Sequence, residues 1–460
     1  MALAAATVWE IRTAGADDQG GGFVTGASGT DYSQTNTKRV ATGTDDSTTD
    51  AVANGTTTIT SATAAFGTSI VGNIITLSGG TGTLAKGWYQ VTARTNATTI
   101  TVDRTVAAGT GITMNIGGAL ASLGMLGGAV PVTGNYIWIK AGTYTVTSAS
   151  TNISAGCVNF SGAAVYIEGY QTTRGDMGTR PLIQTNGTIT TFTFISQASN
   201  GAQFIRNMKF DGNSRTLSRG VLLLGHIYQC EFLNFTNNAV VDNSDVSATI
   251  FNCSATGCST QPAFNSVSCV NCVAFDNTVT GFTSGTTSSR FIRCIADSNS
   301  GASSDGFTSG GSIQKQSYMN CVAYNNGRHG FVFASTRGTQ AINCIAEANA
   351  GTGFIHSGNV QTLLMNCAYF NNGTNVTLGT DVGSSNTGGI LGTSSFFTNA
   401  AAGDFSLNNT AGGGASARAA GLPGTILGLT TPVGYLDLGT YQHQDSGGGG
   451  GAASSAAYLG

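Results

Sequence analysis

Acidic side chains are scarce in this 460-residue chain, 22 Asp and Glu in all, so those that share a spacing stand out. Asp276, Asp297 and Glu347 each lie three or four residues after a cysteine of a recurring phrase. Asp297 and Glu347 hold the same offset in copies separated by one intervening copy, which carries Tyr324. If the copies are stacked strands, two steps of the stack put these carboxyl groups roughly 9–10 Å apart. That is the upper edge of the separation at which an inverting glycosidase holds its attacking water. Acid–base cleavage of a glycosidic bond is the chemistry such a trio could perform, and solvated turn carboxylates are the plainer reading. Arg293, Lys315 and His329 could line the same side, although His329 in "GRHGF" reads as a turn residue and His356 as a solvent-facing strand residue. Asp17 and Asp18 lack the spacing of a calcium hand. Cys269 and Cys272 form a CxxC, but no second pair and no His cluster follows at metal spacing, so neither a metal site nor any cofactor is expected.

The elements that must position these residues are visible as an internal repeat. "IYQCEFLN", "IFNCSATG", "CVNCVAFDN", "FIRCIADSN", "YMNCVAYNN", "AINCIAEAN" and "LMNCAYFNN" are centred on Cys230, Cys253, Cys272, Cys294, Cys321, Cys344 and Cys367, with steps of 23, 19, 22, 27, 23 and 23. The phrases alternate in the two-residue period of a strand, with Ile342, Cys344 and Ala346 pointing one way and Asn343, Ile345 and Glu347 the other. About ten residues after the first six cysteines comes an apolar anchor, Val240, Phe264, Phe282, Phe307, Phe331 or Phe354, and the last four of these are each preceded by Gly. Asn277, Asn299, Asn326, Asn349 and Asn372 follow the cysteines by five residues and are expected to turn the chain through left-handed backbone. A unit this short cannot bury its apolar side alone, so copies must stack, and the expected result is a parallel β-helix with ladders of thiols, phenyl rings and amides. The thiols then fill an interior corner, for nothing supplies the electropositive, half-exposed setting of a reactive cysteine.

The rest of the chain divides by texture. Residues 1–40 are a first strand and lead-in. Residues 41–118 hold β-branched strands at hairpin spacing without the repeat, read as a small inserted antiparallel β-domain. Residues 119–410 are the β-helix, opened by the brief apolar capping helix "GGALASLGMLGG". Residues 411–445 are terminal coils with a closing strand, and 446–460 form a flexible Gly/Ala/Ser tail. Only 9% of residues are charged and the net charge is -3, which argues against nucleic-acid binding by phosphate neutralisation and against a membrane surface. No export signal is recognisable in "MALAAATVWEIR".

"WEIRTAGADDQGGGF", "WIKAGTYTV", the NCxAxxN coils and "YLDLGTYQ" together resemble the right-handed parallel β-helix proteins of the pectate-lyase-like superfamily, over roughly residues 1–35 and 119–445. The resemblance implies an all-β solenoid and leaves several functions open, because that superfamily holds polysaccharide lyases and hydrolases, bacterial surface proteins and phage tailspikes or fibres. Weighed against the thin carboxylate set, an uncharged Asn/Thr/Ser surface without an export signal favours a non-enzymatic structural or host-binding component of a phage-type virion. Such a fibre, spike or capsid decoration is expected on the virion surface, with other virion proteins or a host-surface glycan as partners and with a homotrimer open. A polysaccharide-degrading hydrolase or lyase is the alternative, and a bacterial surface β-helix the second.

Overall fold

The computed structural model describes residues 3–41, 44–45, 48–82, 87–126, 132–146, 158–159, 164–185, 192–196, 203–215, 218–223, 225–242, 248–284, 289–309, 315–334, 338–356, 361–378, 384–418, 420–422 and 437–442. The chain forms two compact units, Met1–Phe210 and Asp211–Gly460.

In the first unit Thr7–Ile11 pairs in parallel with Tyr136–Lys140, which pairs in parallel with Tyr166–Tyr170. The first rung is therefore split from the next by more than a hundred residues, and most of these form a closed antiparallel barrel. Its six strands are Thr48–Ala53, Thr58–Thr60, Ile74–Gly82, Gly87–Asn96, Thr99–Val102 and Gly109–Ile116. Alternate β-branched residues such as Ile59, Ile75, Val91, Ile100 and Ile112 point inward and are fully buried, which gives the barrel its own core. Of the apolar stretch 117–128, only Leu123–Leu126 is helical, as a 3-10 turn, and 127–128 lie outside the described residues. Buried Glu10 is held by Arg12 at 2.7 Å and Arg174 at 2.8 Å, and Arg174 also reaches Asp31 at 2.8 Å, so the charges of this knot cancel.

The second unit is a parallel β-solenoid of three sheets. One complete coil runs Thr339–Ile342, Ile345–Glu347 and Thr352–His356, and each strand pairs in register with its equivalent in the neighbouring coils. The phase of the repeat differs from simple alternation. Asn343 has φ 56°, and the equivalent corner residues Asn252, Asn271, Arg293, Asn320 and Asn366 are also left-handed. A left-handed residue bends the chain and shifts the strand phase by one, so Ala341, Cys344 and Ala346 are fully buried while Ile342 turns outward. A second corner follows, and there the left-handed residue is Asp276, Ser298, Asn325, Ala348 or Asn371, one position before the asparagines expected to take it. Asn277, Asn299, Asn326 and Asn349 instead point inward, and each donates its amide N–H to the side-chain oxygen of the next at 2.8 Å, ending on Asn372. His356 likewise faces the interior rather than solvent, because it lies two residues past the buried Phe354 on one strand.

The inner face is built of like on like. Phe282, Phe307, Phe331 and Phe354 stack nearly parallel with centroids 4.8 Å apart at each step, and all are fully buried. Glycine precedes these rings because a Cβ at Gly330 would meet Gly353 O at 2.6 Å and the Asn349 amide at 2.9 Å. Cys230, Cys253, Cys272, Cys294, Cys321, Cys344 and Cys367 are buried and free, with Sγ groups donating to backbone carbonyls, as Cys321 does to Phe291 O at 3.3 Å. Burial pushes the thiols of Cys253, Cys294 and Cys344 up, away from thiolate chemistry.

Past the last paired rung, Ser385–Thr387 and Ile390–Leu391, the described residues add no further coil. They make an antiparallel pair, Phe397–Asn399 with Asp404–Leu407, and a four-residue helix, Gly414–Ala417. Phe396, Phe397, Phe405, Leu407, Ala417 and Leu438 pack over the outward residues Ile295, Val322, Ile345 and Ala368 of the second sheet. The described part of the expected closing strand, 437–442, is bends and coil that bond back to the corners, with Gly439 N–H donating to Asn343 O at 2.8 Å. The Gly/Ala/Ser tail lies outside the described residues.

Two substitutions test this packing. Phe307→Ala removes a ring from the middle of the stack and is expected to lower stability to urea by about 3–5 kcal/mol. Asn326→Ala, which strands polar groups on Asn299 and Asn349, is expected to cost about 1–3 kcal/mol in the same assay.

Candidate functional site

The outward column of the second sheet reads Phe275, Asp297, Tyr324, Glu347, Phe370 in consecutive coils. Asp297 and Glu347 thus stand two coils apart with Tyr324 between them. Their surroundings differ. Glu347 is 3% exposed and lies beneath the C-terminal segment, where it accepts the Phe396 backbone N–H at 3.0 Å. Burial pushes its carboxyl up, partly offset by hydrogen bonds from Ser395 and Phe396. Tyr324 packs edge-on against Phe397 and Phe405 of that segment. Its phenol is pushed up by burial and by the charges of Glu347 and Asp297.

Asp297 stands at the margin of this cover. It is half-buried, and burial pushes its carboxyl up to about 6, against a hydrogen bond from Ser298 at 2.7 Å and with a further push from the charge of Asp276. Asp276 is exposed at the left-handed corner of the preceding coil, and its backbone N–H donates to Asp297 O at 3.2 Å. Beside Asp276 is an open polar concavity lined also by Ser298, Ser300, Asn325 and Asn326; Asp297 does not line it, and its neighbour Ser298 does. The fold therefore brings Asp276 and Asp297 together and sets Glu347 apart as a buried tether of the C-terminal segment.

The basic residues named with them go elsewhere. Arg293 is a corner residue whose guanidinium pKa is lowered by burial, and Lys315 borders a groove on the first sheet. His329 accepts the Thr352 backbone N–H on Nδ1 at 2.8 Å, and burial holds its pKa below the usual histidine value. Its backbone N–H donates to Asp305, a buried carboxylate gripped by Arg328 Nε and Nη2 and by Thr308 Oγ1 at 2.9 Å. This knot was recoverable from sequence, because Asp305, His329 and Thr352 each stand two residues before a stacked Phe. Its Asp305 carboxylate is satisfied from within, by Arg328, Thr308 and the His329 backbone N–H. No group of His, Cys, Asp and Glu among the described residues is arranged to hold a metal ion. Asp17 accepts the backbone N–H groups of Ala121 and Ser122 at 3.0 and 2.9 Å, which makes it a loop fastener.

The Asp297 shift has a signed consequence. A carboxyl whose folded pKa is raised gives stability that is full below its unfolded value near 3.8 and lost as pH rises through about 6. Asp297→Asn removes that loss and keeps an acceptor for Ser298. Thermal unfolding is expected to show the variant more stable than the parent at pH 8, by on the order of 1–3 kcal/mol, and equal to it at pH 4.

No family model and no curated protein matches the sequence. Solved structures do. A pectate lyase is similar at 16% identity, over 71% of this chain and 92% of that one, with a TM-score of 0.43. The A-module of an Azotobacter vinelandii mannuronan C-5 epimerase is similar at 16% identity, over 52% and 69%, with a TM-score of 0.35. The catalytic domain of a GH87 α-1,3-glucanase is similar at 10% identity, over 69% and 85%, with a TM-score of 0.33. The expectation of a non-enzymatic phage-type virion component is corrected here: the similar structures are a pectate lyase, a mannuronan C-5 epimerase module and a glucanase catalytic domain, and none of the three is a virion protein. At these identities the likeness is one of fold, and the chain is a right-handed parallel β-helix carrying a small closed antiparallel barrel.

Proposed function

We propose that this chain is a polysaccharide-cleaving β-helix enzyme, a glycoside hydrolase in which Asp297 is the proton donor and Asp276 the partner carboxylate. The single observation that supports it most is the contrast between the two neighbours. One is half-buried and holds its proton to about pH 6, and the other is exposed beside an open polar concavity. Glycoside hydrolysis asks for two carboxyl groups pushed apart by their surroundings. Protonated Asp297 donates to the glycosidic oxygen as its bond to the anomeric carbon breaks, and Asp276 takes a proton from the water that attacks that carbon. The Ser and Asn side chains lining the concavity suit sugar hydroxyls, which need partners that both donate and accept.

The test is release of reducing ends from a panel of neutral and acidic polysaccharides. Asp297→Asn and Asp276→Asn are each expected to lower kcat by about 10²–10⁴. Glu347→Gln is expected to leave kcat within a few-fold, since that carboxyl bonds the C-terminal segment. In the parent, activity falls as pH rises through about 6 and Asp297 loses its proton. Unchanged turnover in Asp297→Asn, or no cleavage of any glycan by the parent, overturns the reading.

A further inference from the structure

A second concavity lies on the outer face of the first sheet of the solenoid. It is bordered by Arg290, Lys315, Ser317, Gln340, Gln361 and Leu363. Arg290, Ser317, Gln340 and Leu363 are register partners in four successive coils, so the groove runs along the stack for roughly 14 Å, three inter-strand steps. The shape suits an extended chain crossing the rungs.

Its charge is unusual for this protein. The chain has only 19 Lys and Arg and a net charge of -3, and several of its arginines are spent on carboxylates: Arg12 and Arg174 on Glu10, Arg104 on Asp103, Arg328 on Asp305. Arg290 and Lys315 are both exposed, and neither side chain has an ion-pair or hydrogen-bond partner among the described residues. No carboxylate lines the groove among the described residues. Two exposed cations flanking one concavity, without partners among the described residues, supply the field and the donors that an anionic ligand needs. Between them the surface is amide and hydroxyl, with Gln340 Nε2 donating to Ser317 Oγ at 3.1 Å, and Leu363 adds one apolar contact.

We propose that this groove binds an acidic polysaccharide, with the carboxylate or sulfate groups of the sugar on Arg290 and Lys315 and its hydroxyls on the amide row. The ligand is a glycan and not a nucleic acid because the lining, among the described residues, holds no aromatic ring on which an unpaired base could stack, and two cations are few for a phosphate backbone. The site is separate from Asp276 and Asp297 and stands whether or not those residues cleave anything.

Binding of oligoglucuronate, its carboxyl-reduced form and oligothymidylate to the full chain, followed by calorimetry, tests this. Oligoglucuronate is expected to bind, and to bind more weakly as NaCl rises. The carboxyl-reduced form is expected to lose about tenfold in affinity, equivalent to roughly 1.4 kcal/mol. Arg290→Gln with Lys315→Gln is expected to lose at least as much while unfolding at the parent's temperature, since both side chains are exposed and unpartnered. Arg290→Glu with Lys315→Glu is expected to abolish binding. Asp297→Asn is expected to bind like the parent, so that failed cleavage and failed binding read separately. Equal affinity for the reduced glycan, an unchanged double variant, tighter binding of oligothymidylate or no binding of oligoglucuronate overturns the proposal.

Discussion

Everything in the solenoid depends on one constraint, that each coil lies on the next in register at the spacing of strands in a sheet. Once backbone hydrogen bonding fixes that spacing, every side chain meets its own equivalent above and below, so residues that stack on themselves are favoured. Phenyl rings can do so at 4.8 Å with faces parallel. Asparagine can do so because its side chain carries both a donor and an acceptor, and an amide column satisfies itself. The column here is closed at both ends: Asn277 accepts the Cys258 backbone N–H, and Asn372 donates to Asn375. Cysteine fits a corner too tight for a branched side chain, and its thiol hands a weak bond to the wall.

The same constraint explains where chemistry is allowed. Inward positions are committed to stacking, so reactive groups can sit only on outward columns or at corners. An outward column is exposed unless something covers it, and here the segment beyond the last coil covers part of the second sheet. One column therefore passes through three environments. Glu347 is covered and bonded to a backbone amide, Tyr324 is wedged against Phe397 and Phe405, and Asp297 is only half covered. The shift at Asp297 comes from incomplete cover, which removes water without supplying a counter-charge.

Much of this was legible in the sequence because ladders are periodic and periodicity needs no tertiary knowledge. The cysteine step set the coils, and counting from it put Asp297, Tyr324 and Glu347 in one column. Two things were hidden. The left-handed corners at Asn343 and its equivalents shift the strand phase by one, so Ile342 faces out where plain alternation faces it in. Asparagine tolerates left-handed backbone and also stacks, and the sequence does not say which property a given asparagine uses. The corner goes to Asp276, Ser298 and Ala348, residues with less obvious claim to it, because the asparagine one place later is needed inside.

The covering segment was the other hidden element, and its reason is physical. The second sheet carries Val273, Ile295, Val322, Ile345 and Ile390 on its outer side, an apolar stripe that water would not tolerate over so many coils. "SFFTNAAAGDFSLNN" supplies Phe396, Phe397, Phe405 and Leu407 to cover it. A segment with that composition reads as another coil, since a coil and a cover bury the same residue types. What separates them is where the chain's polar groups find partners. Here Asn366 and Asn320 reach out from the corners to carbonyls of Ala420, Asp437 and Gly439, so corner residues serve as fasteners for the cover as well as bends in the coil.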